Sequence, residues 1–146
     1  MRLLATVLAM LVMVSADASS SEVNVIPLKI DGHVLLAEVA HTQLSRSQGL
    51  MYRESLEENT GMLFVFPDAG HYSMWMKDTY IPLSVAFINE YGVILNIADM
   101  WPQTRTAHDS SGIAKYALEM NIGWFSARKI AAGTRVVGLE KAPAAN

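Results

Sequence analysis

The sequence predicts a mainly β fold, a single-domain β-sandwich or barrel of about eight short strands with two short helices. Three observations carry that prediction. Short apolar or alternating runs recur along the chain, turn residues such as Asp31-Gly32 and Asn89-Glu90-Tyr91-Gly92 separate them, and only two stretches carry helix signals.

The elements follow in order. Val23 to Leu28 and Val34 to Ala40 are β-rich runs joined by Asp31-Gly32, a tight-hairpin dipeptide. Thr42 can cap a short helix over Gln43 to Gln48, and Gly49 stands where that helix would stop. Leu50 to Glu58 is a connector. Met62 to Phe66 has no polar residue on either face, as expected of a strand buried on both sides. Pro67 to Gly70 then reads as a turn into a strand over Tyr72 to Lys77. Beyond Pro82, the runs Leu83 to Ile88 and Val93 to Asp99 flank Asn89 to Gly92 as a second hairpin. Trp101 to Gly112 is the longest polar stretch and reads as a functional or mobile loop. Lys115 to Ile122 is a further strand, Phe125 to Ala132 a short helix ended by Gly133, and Arg135 to Glu140 closes the domain.

Residues 1–18 have the pattern of a secretory signal peptide. Arg2 gives a positive start, Leu3 to Val14 is unbroken apolar, and Ala16-Asp17-Ala18 is a small-x-small cleavage pattern. The apolar run is shorter than the roughly 20 residues a membrane span needs, so no stable membrane anchor is expected after processing. Residues 19–146 are then expected to form one exported domain, periplasmic or secreted. The net charge of −3, without basic clusters, argues against nucleic acid as a partner. The chain has no cysteine, and only 17% of its residues are charged against a typical quarter, which leaves a large apolar set for the core.

Several motifs, in order along the chain, carry a family resemblance. They are Glu38-Val-Ala40 with Thr42, Arg46-Ser-Gln-Gly-Leu-Met51 with Arg53, Gly61-Met-Leu-Phe-Val-Phe66, and Ser73-Met-Trp-Met-Lys-Asp-Thr79. Ile81-Pro-Leu83, Met100 with Pro102, Tyr116-Ala-Leu-Glu-Met-Asn121, Gly123-Trp124 and Gly133 continue the series. The chain resembles the bacterial and archaeal family catalogued as domain of unknown function 192. That resemblance implies a compact, mostly β domain, exported in many members, and no assigned activity. Many relatives carry Asn where this chain has Asp78, so the resemblance implies no mechanism that needs a carboxylate there.

Strand alternation sorts the candidate site residues. Along Tyr72 to Asp78, Tyr72, Met74 and Met76 share one face, and Ser73, Trp75 and Lys77 the other. Along the later strand, Tyr116, Leu118, Met120 and Ile122 form an apolar face, opposite Ala117, Glu119 and Asn121. If both strands share a sheet, Trp75, Lys77, Glu119 and Asn121 line one surface, suited to a polar small molecule or sugar. The alternative is an ordinary solvated face with a Lys–Glu ion pair. Arg46 and Arg53 either clamp a ligand anion, pair with Glu54, Glu57 or Glu58, or tie down a helix end. Asp99 either points inward beside Glu119 as an acid–base pair or ties down the turn over Met100 to Gln103. Met74 and Met76, with His71 nearby, have the softness Cu(I) prefers, although Met is also a common core filler.

Three function classes follow. The leading one is a non-catalytic exported binding or accessory module for a polar small molecule or sugar, built on Trp75, Lys77, Asp78, Glu119 and Asn121, with Arg46 and Arg53 beside them. It needs no metal or cofactor, and the sequence indicates no particular protein partner. The second is a hydrolase-like enzyme using Asp99 or Glu119, and the third a periplasmic Cu(I)-binding protein using Met74 and Met76.

Overall fold

The computed structural model describes residues 23–146, so the expected signal peptide lies outside the described residues. The fold is mainly β. Its strands are β1 (Val25–Ile30), β2 (His33–Ala40), β3 (Thr60–Gly70), β4 (Ser73–Met74), β5 (Leu83–Ile88), β6 (Ile94–Met100), β7 (His108–Asp109), β8 (Ala114–Asn121) and β9 (Val136–Val137). Helix α1 (Gln43–Gln48) follows β2, α2 (Trp124–Ala127) follows β8, and a 3-10 turn over Leu139–Lys141 follows β9. Among the described residues no helix is long and apolar enough to cross a membrane.

Seven strands make one sheet in the order β6-β5-β8-β3-β2-β1-β9, antiparallel except for β2 against β3. The sheet curls until its edges meet. Val93, just before β6, bridges Arg135, just before β9, and the Val136 N–H donates to the Gly92 carbonyl at 2.8 Å. Pairing the edges in this way covers backbone groups that would otherwise be exposed.

Both faces of the central strands are buried, whereas the outer face of β1 and the start of β2 is exposed. The inner face collects Ile26, Leu28, Leu35, Leu63, Ala86, Ile94, Leu118 and Val136, so all seven strands contribute, and α2 adds Trp124 and Phe125. The outer face of the central strands carries Met62, Phe64, Phe66, Leu83, Val85, Phe87, Met100 and Ala117. It is covered by Leu50 from the connector after α1 and by Met76 and Ile81 from the segment after β3. At about 25 cal/mol per Å² of apolar surface removed from water, two such faces are the main favourable contribution to folding. Every residue of β5 is buried, as are Gly61 to Phe66 of β3, in agreement with the unbroken apolar run there.

Local signals place most of the turns. Asp31 and Gly32 are both left-handed, at φ 48° and 83°, as a two-residue hairpin between twisted strands requires. The Thr42 hydroxyl accepts from the Ser45 N–H at 3.0 Å and caps α1. Elsewhere the structure corrects the sequence-based expectation. Strand β3 does not turn at Pro67 to Gly70 but runs on to Gly70, with its register against β8 shifting between Val65 and Gly70. The Lys115 ammonium donates to the carbonyls of Phe66 and Pro67, each at 2.7 Å, and so occupies acceptors at the irregularity.

Residues 72–77 are not a strand of the main sheet. Only Ser73 and Met74 pair, with β7, and the segment crosses the outer face as a strap. The second helix is a single turn, because Lys129 is left-handed at φ 57° and ends it. Arg135 to Glu140 resolves into the two-residue β9 and the 3-10 turn.

Gly61 is where β3 and β8 come closest. A Cβ there would overlap the Glu119 carbonyl oxygen and the Met120 sulphur. Gly61→Ala is therefore expected to destabilise the fold by about 2–3 kcal/mol, since both obstructions belong to a packed central strand. Urea unfolding of the variant checks this; a change under about 0.5 kcal/mol, the scale of a neutral substitution, would contradict the tight contact.

Candidate functional site

A cleft of about 510 Å³ opens on the outer face of the sheet. One wall is α1 and its exit, with Gln43, Arg46, Ser47, Gln48, Gly49, Leu50 and Met51. The other is the strap, with Pro67, Tyr72, Ser73, Met74, Trp75 and Thr79, and the floor is Phe64, Phe66 and Glu119 from the sheet. Its volume is that of an ordinary small-molecule site.

The strap is held in place through its main chain. The Tyr72 carbonyl accepts from the Ser110 N–H at 2.8 Å, and the Tyr72 N–H donates to the Ser110 hydroxyl at 3.1 Å. The Met76 N–H donates to the Thr104 carbonyl at 3.0 Å, and the Gln103 N–H to the Thr79 carbonyl at 3.0 Å. The polar stretch 101–112 is thus a brace for the cleft wall. Tyr72 also stacks flat on Phe66, with ring centroids 3.7 Å apart.

Glu119 is the unusual residue of the cleft. It is 4% exposed, and its carboxyl has no hydrogen-bond partner among the described residues. The cause is its row in the sheet. Glu38, Met62, Glu119 and Val85 lie side by side across β2, β3, β8 and β5 on the outer face, so apolar neighbours flank Glu119 on both sides. Burial alone lifts its pKa from the usual 4.5 to about 8, so at neutral pH it is mostly a neutral carboxylic acid. The alternative reading of β8, an ordinary solvated polar face, fails here, because β8 is an interior strand between β3 and β5 and the strap and α1 cover that face.

The other expected site residues separate into groups. Trp75 is 48% exposed and lines the same cleft as Glu119. Lys77 stands beside it, with its ammonium 5.8 Å from the Trp75 ring centroid. Lys77 does not pair with Glu119; the ion pairs among the described residues are Arg53–Glu38 and Arg128–Glu58. Arg46 also lines the cleft, but its guanidinium donates to the main-chain oxygens of His41 at 2.6 Å, Val65 at 3.2 Å and Asn146 at 3.0 Å.

Arg53 pairs with Glu38 through two bonds of 2.6 Å, not with Glu54, Glu57 or Glu58, and the pair lines a neighbouring cleft. Glu38 reaches Arg53 because β2 carries it two strands from Glu119 on the same face. Asp78 is left-handed at φ 51°; its carbonyl accepts from the Tyr52 N–H at 2.9 Å and its carboxylate from the Tyr52 hydroxyl at 3.3 Å. That carboxylate raises the Tyr52 pKa. The Asn121 amide donates to the Leu56 carbonyl at 2.8 Å and pins the connector.

The Asp99–Glu119 acid–base pair is not formed. Asp99 pairs with Ser84 and Glu119 with Val85, and neighbours along a strand point to opposite faces. Asp99 lies on the inner face at the end of the sheet, beside Ser84 in the row of Met120; it is exposed there, accepts from the Ser84 hydroxyl at 2.6 Å and does not serve the following turn. Met76 is fully buried and Met74 half-buried against the same core, so both thioethers serve in packing.

The sequence does not single out Phe64, Phe66, Tyr72, Leu50 or Met51 as cleft walls. They read as core or connector, and only the placement of the strap turns them toward a shared space. For Glu119 a signal exists: Ala117, on its supposed polar face, is apolar, and Leu118 and Met120 enclose it.

The chain belongs to the family of domain of unknown function 192, described as "Uncharacterized ACR", whose model matches residues 26–138. It is similar to a crystal structure from Sinorhizobium meliloti 1021, provisionally described as a transcription regulator. The identity is 33% and the TM-score 0.77, over 80% of this chain and 95% of that one. It is also similar to a protein of unknown function from Novosphingobium aromaticivorans DSM 12444. There the identity is 29% and the TM-score 0.76, over 81% of this chain and 88% of that one. No curated protein matches the chain.

The burial of Glu119 links stability to pH with a definite sign. The unfolded chain releases this proton near pH 4.5, whereas the folded chain keeps it to about pH 8. The contribution of the group is therefore fully present below about pH 4.5 and lost as pH rises through 8. Urea unfolding across that range is expected to show wild type losing about 3–5 kcal/mol relative to Glu119→Gln, which has no proton to release. Parallel pH profiles for the two proteins would contradict the burial argument.

Proposed function

We propose that this chain is an exported, non-catalytic binding domain that holds a small organic molecule in the cleft between α1 and the strap. The observation that carries this reading is Glu119: a buried carboxyl without a protein partner, lining a cleft of ligand size beside an exposed Trp75. The Glu119 carboxyl faces a largely apolar cleft without a protein partner, and a hydrogen bond from a ligand group there contributes about 0.5–1.5 kcal/mol. Convergence of a cleft, aromatic walls and a perturbed acid is the usual mark of a binding site.

A small molecule with an extended apolar face suits the cleft better than a sugar. Ser47 donates to the Gln43 carbonyl, Ser73 to Asp109, Thr79 to the Lys77 carbonyl, and Arg46 to three main-chain oxygens. These groups already donate within the protein, so the polar groups left to a sugar are chiefly the Gln43 and Gln48 amides and Glu119. Aromatic rings and thioethers make up much of the remaining lining.

Export rests on Arg2, the apolar run Leu3 to Val14 and the Ala16-Asp17-Ala18 pattern. A role in transcription, as described for the Sinorhizobium relative, is not carried over, because a net charge of −3 does not favour a polyanion.

Thermal-shift measurements against amino acids, amines, sugars and peptidoglycan fragments test the binding reading. A ligand should raise the Tm of wild type, and the rise should vanish in Trp75→Ala and in Ser47→Trp, which plugs the cleft from an exposed helix position. A shift retained in both variants would place binding elsewhere. Export is checked separately by N-terminal sequencing of the protein from the periplasm or medium of its host, which should begin at Ser19; retention of Met1 would contradict it.

A further inference from the structure

Among the described residues Glu119 is the only acidic side chain lining the cleft, and burial, with no contribution from a neighbouring charge, sets its proton affinity. The charged groups around it are accounted for. Arg46 on α1 is committed to three main-chain oxygens. Glu38, across Met62 on the same face, is held by Arg53. The neighbour on β5 is Val85, which carries no charge. From the strap, Lys77 lies over Trp75, and Asp78 accepts from Tyr52.

The walls supply the rest of the recognition. Phe64, Phe66, Tyr72 and Trp75 present aromatic rings to the cleft, and Met51 and Met74 present thioethers. The negative faces of aromatic rings attract a cation, most strongly where water is excluded. The Trp75 face already takes one, the Lys77 ammonium at 5.8 Å. An anionic ligand would need a countercharge, and the one cation among the described lining residues, Arg46, is already committed to main-chain oxygens.

We infer that the cleft takes an organic cation, an ammonium carried on an apolar or aromatic body, with its charge against Glu119 and its body against Phe64, Phe66, Tyr72 and Trp75. This inference rests on the cleft being the binding site. When the ammonium arrives, the Glu119 carboxyl gives its proton to solvent and a carboxylate–ammonium pair remains. The pair is desolvated on both sides, which makes the matching charge necessary and selective.

Three probes of similar size separate the possibilities: phenethylammonium, 2-phenylethanol and 3-phenylpropionate, titrated calorimetrically into the processed full domain. Phenethylammonium is expected to bind about tenfold or more tightly than the alcohol, and 3-phenylpropionate more weakly than either. In Glu119→Gln the advantage of the amine over the alcohol should fall below about threefold, and a cooperative urea transition shows separately that the variant is folded. The wild-type order decides the matter even if that variant fails to fold. Alcohol or carboxylate binding as tightly as the amine, with Ser47→Trp abolishing it, would overturn the cation and leave the cleft as the site. No binding of any probe would overturn both.

Discussion

A curled sheet with two apolar faces is the constraint on which the rest of this structure depends. The inner face closes on itself and is completed by the single turn of α2, by Ile130 after it and by Leu139 of the 3-10 turn. The outer face has no second sheet to cover it. Short irregular pieces do so instead: α1, the connector after it, and the strap that follows β3. Irregular covers meet a flat sheet imperfectly, and the gap between α1 and the strap is the cleft.

The strap stays in place without belonging to the sheet. Its main-chain groups bond to Ser110, Thr104 and Gln103, and its Met76 is buried in the outer core. The left-handed residues Tyr52, Asp78 and Gln103 meet at one end of it, where the Tyr52 N–H reaches the Asp78 carbonyl and the Gln103 N–H the Thr79 carbonyl. Three non-glycine residues in that conformation store strain on the order of a kcal/mol each, which surrounding contacts must offset. The aromatic and thioether wall of the cleft is held by backbone bonds, which leaves Trp75 free at its edge.

What the sequence discloses is local, and what it conceals depends on strand order. Asp31-Gly32, the Thr42 cap and the run Met62 to Phe66 each specify their structure within a few residues, and each is found as expected. The strap reads as a strand because Tyr72, Met74 and Met76 alternate correctly. Only long-range pairing decides that Ser73 and Met74 meet β7 and not the main sheet. Glu119 has the same difficulty. Its alternation with Leu118 and Met120 is that of a half-solvated strand, and its burial follows from β8 lying between β3 and β5 with the strap overhead. Trp75 and Glu119 do share a site, but through the cover over the sheet and not through a common strand surface. Lys77, Asp78, Asn121 and Arg53, grouped with them by type and spacing, hold the surroundings together instead.

The protonation state of Glu119 joins the fold to the proposed function, since it reports the burial of the carboxyl and its lack of a protein partner together. Carbon NMR of the side-chain carboxyl, assigned by comparison with Glu119→Gln, measures it directly. A single titration with its midpoint near 8 is the predicted result in the free protein. A midpoint near the ordinary 4.5 would show the carboxyl to be solvated or paired, and would contradict the account.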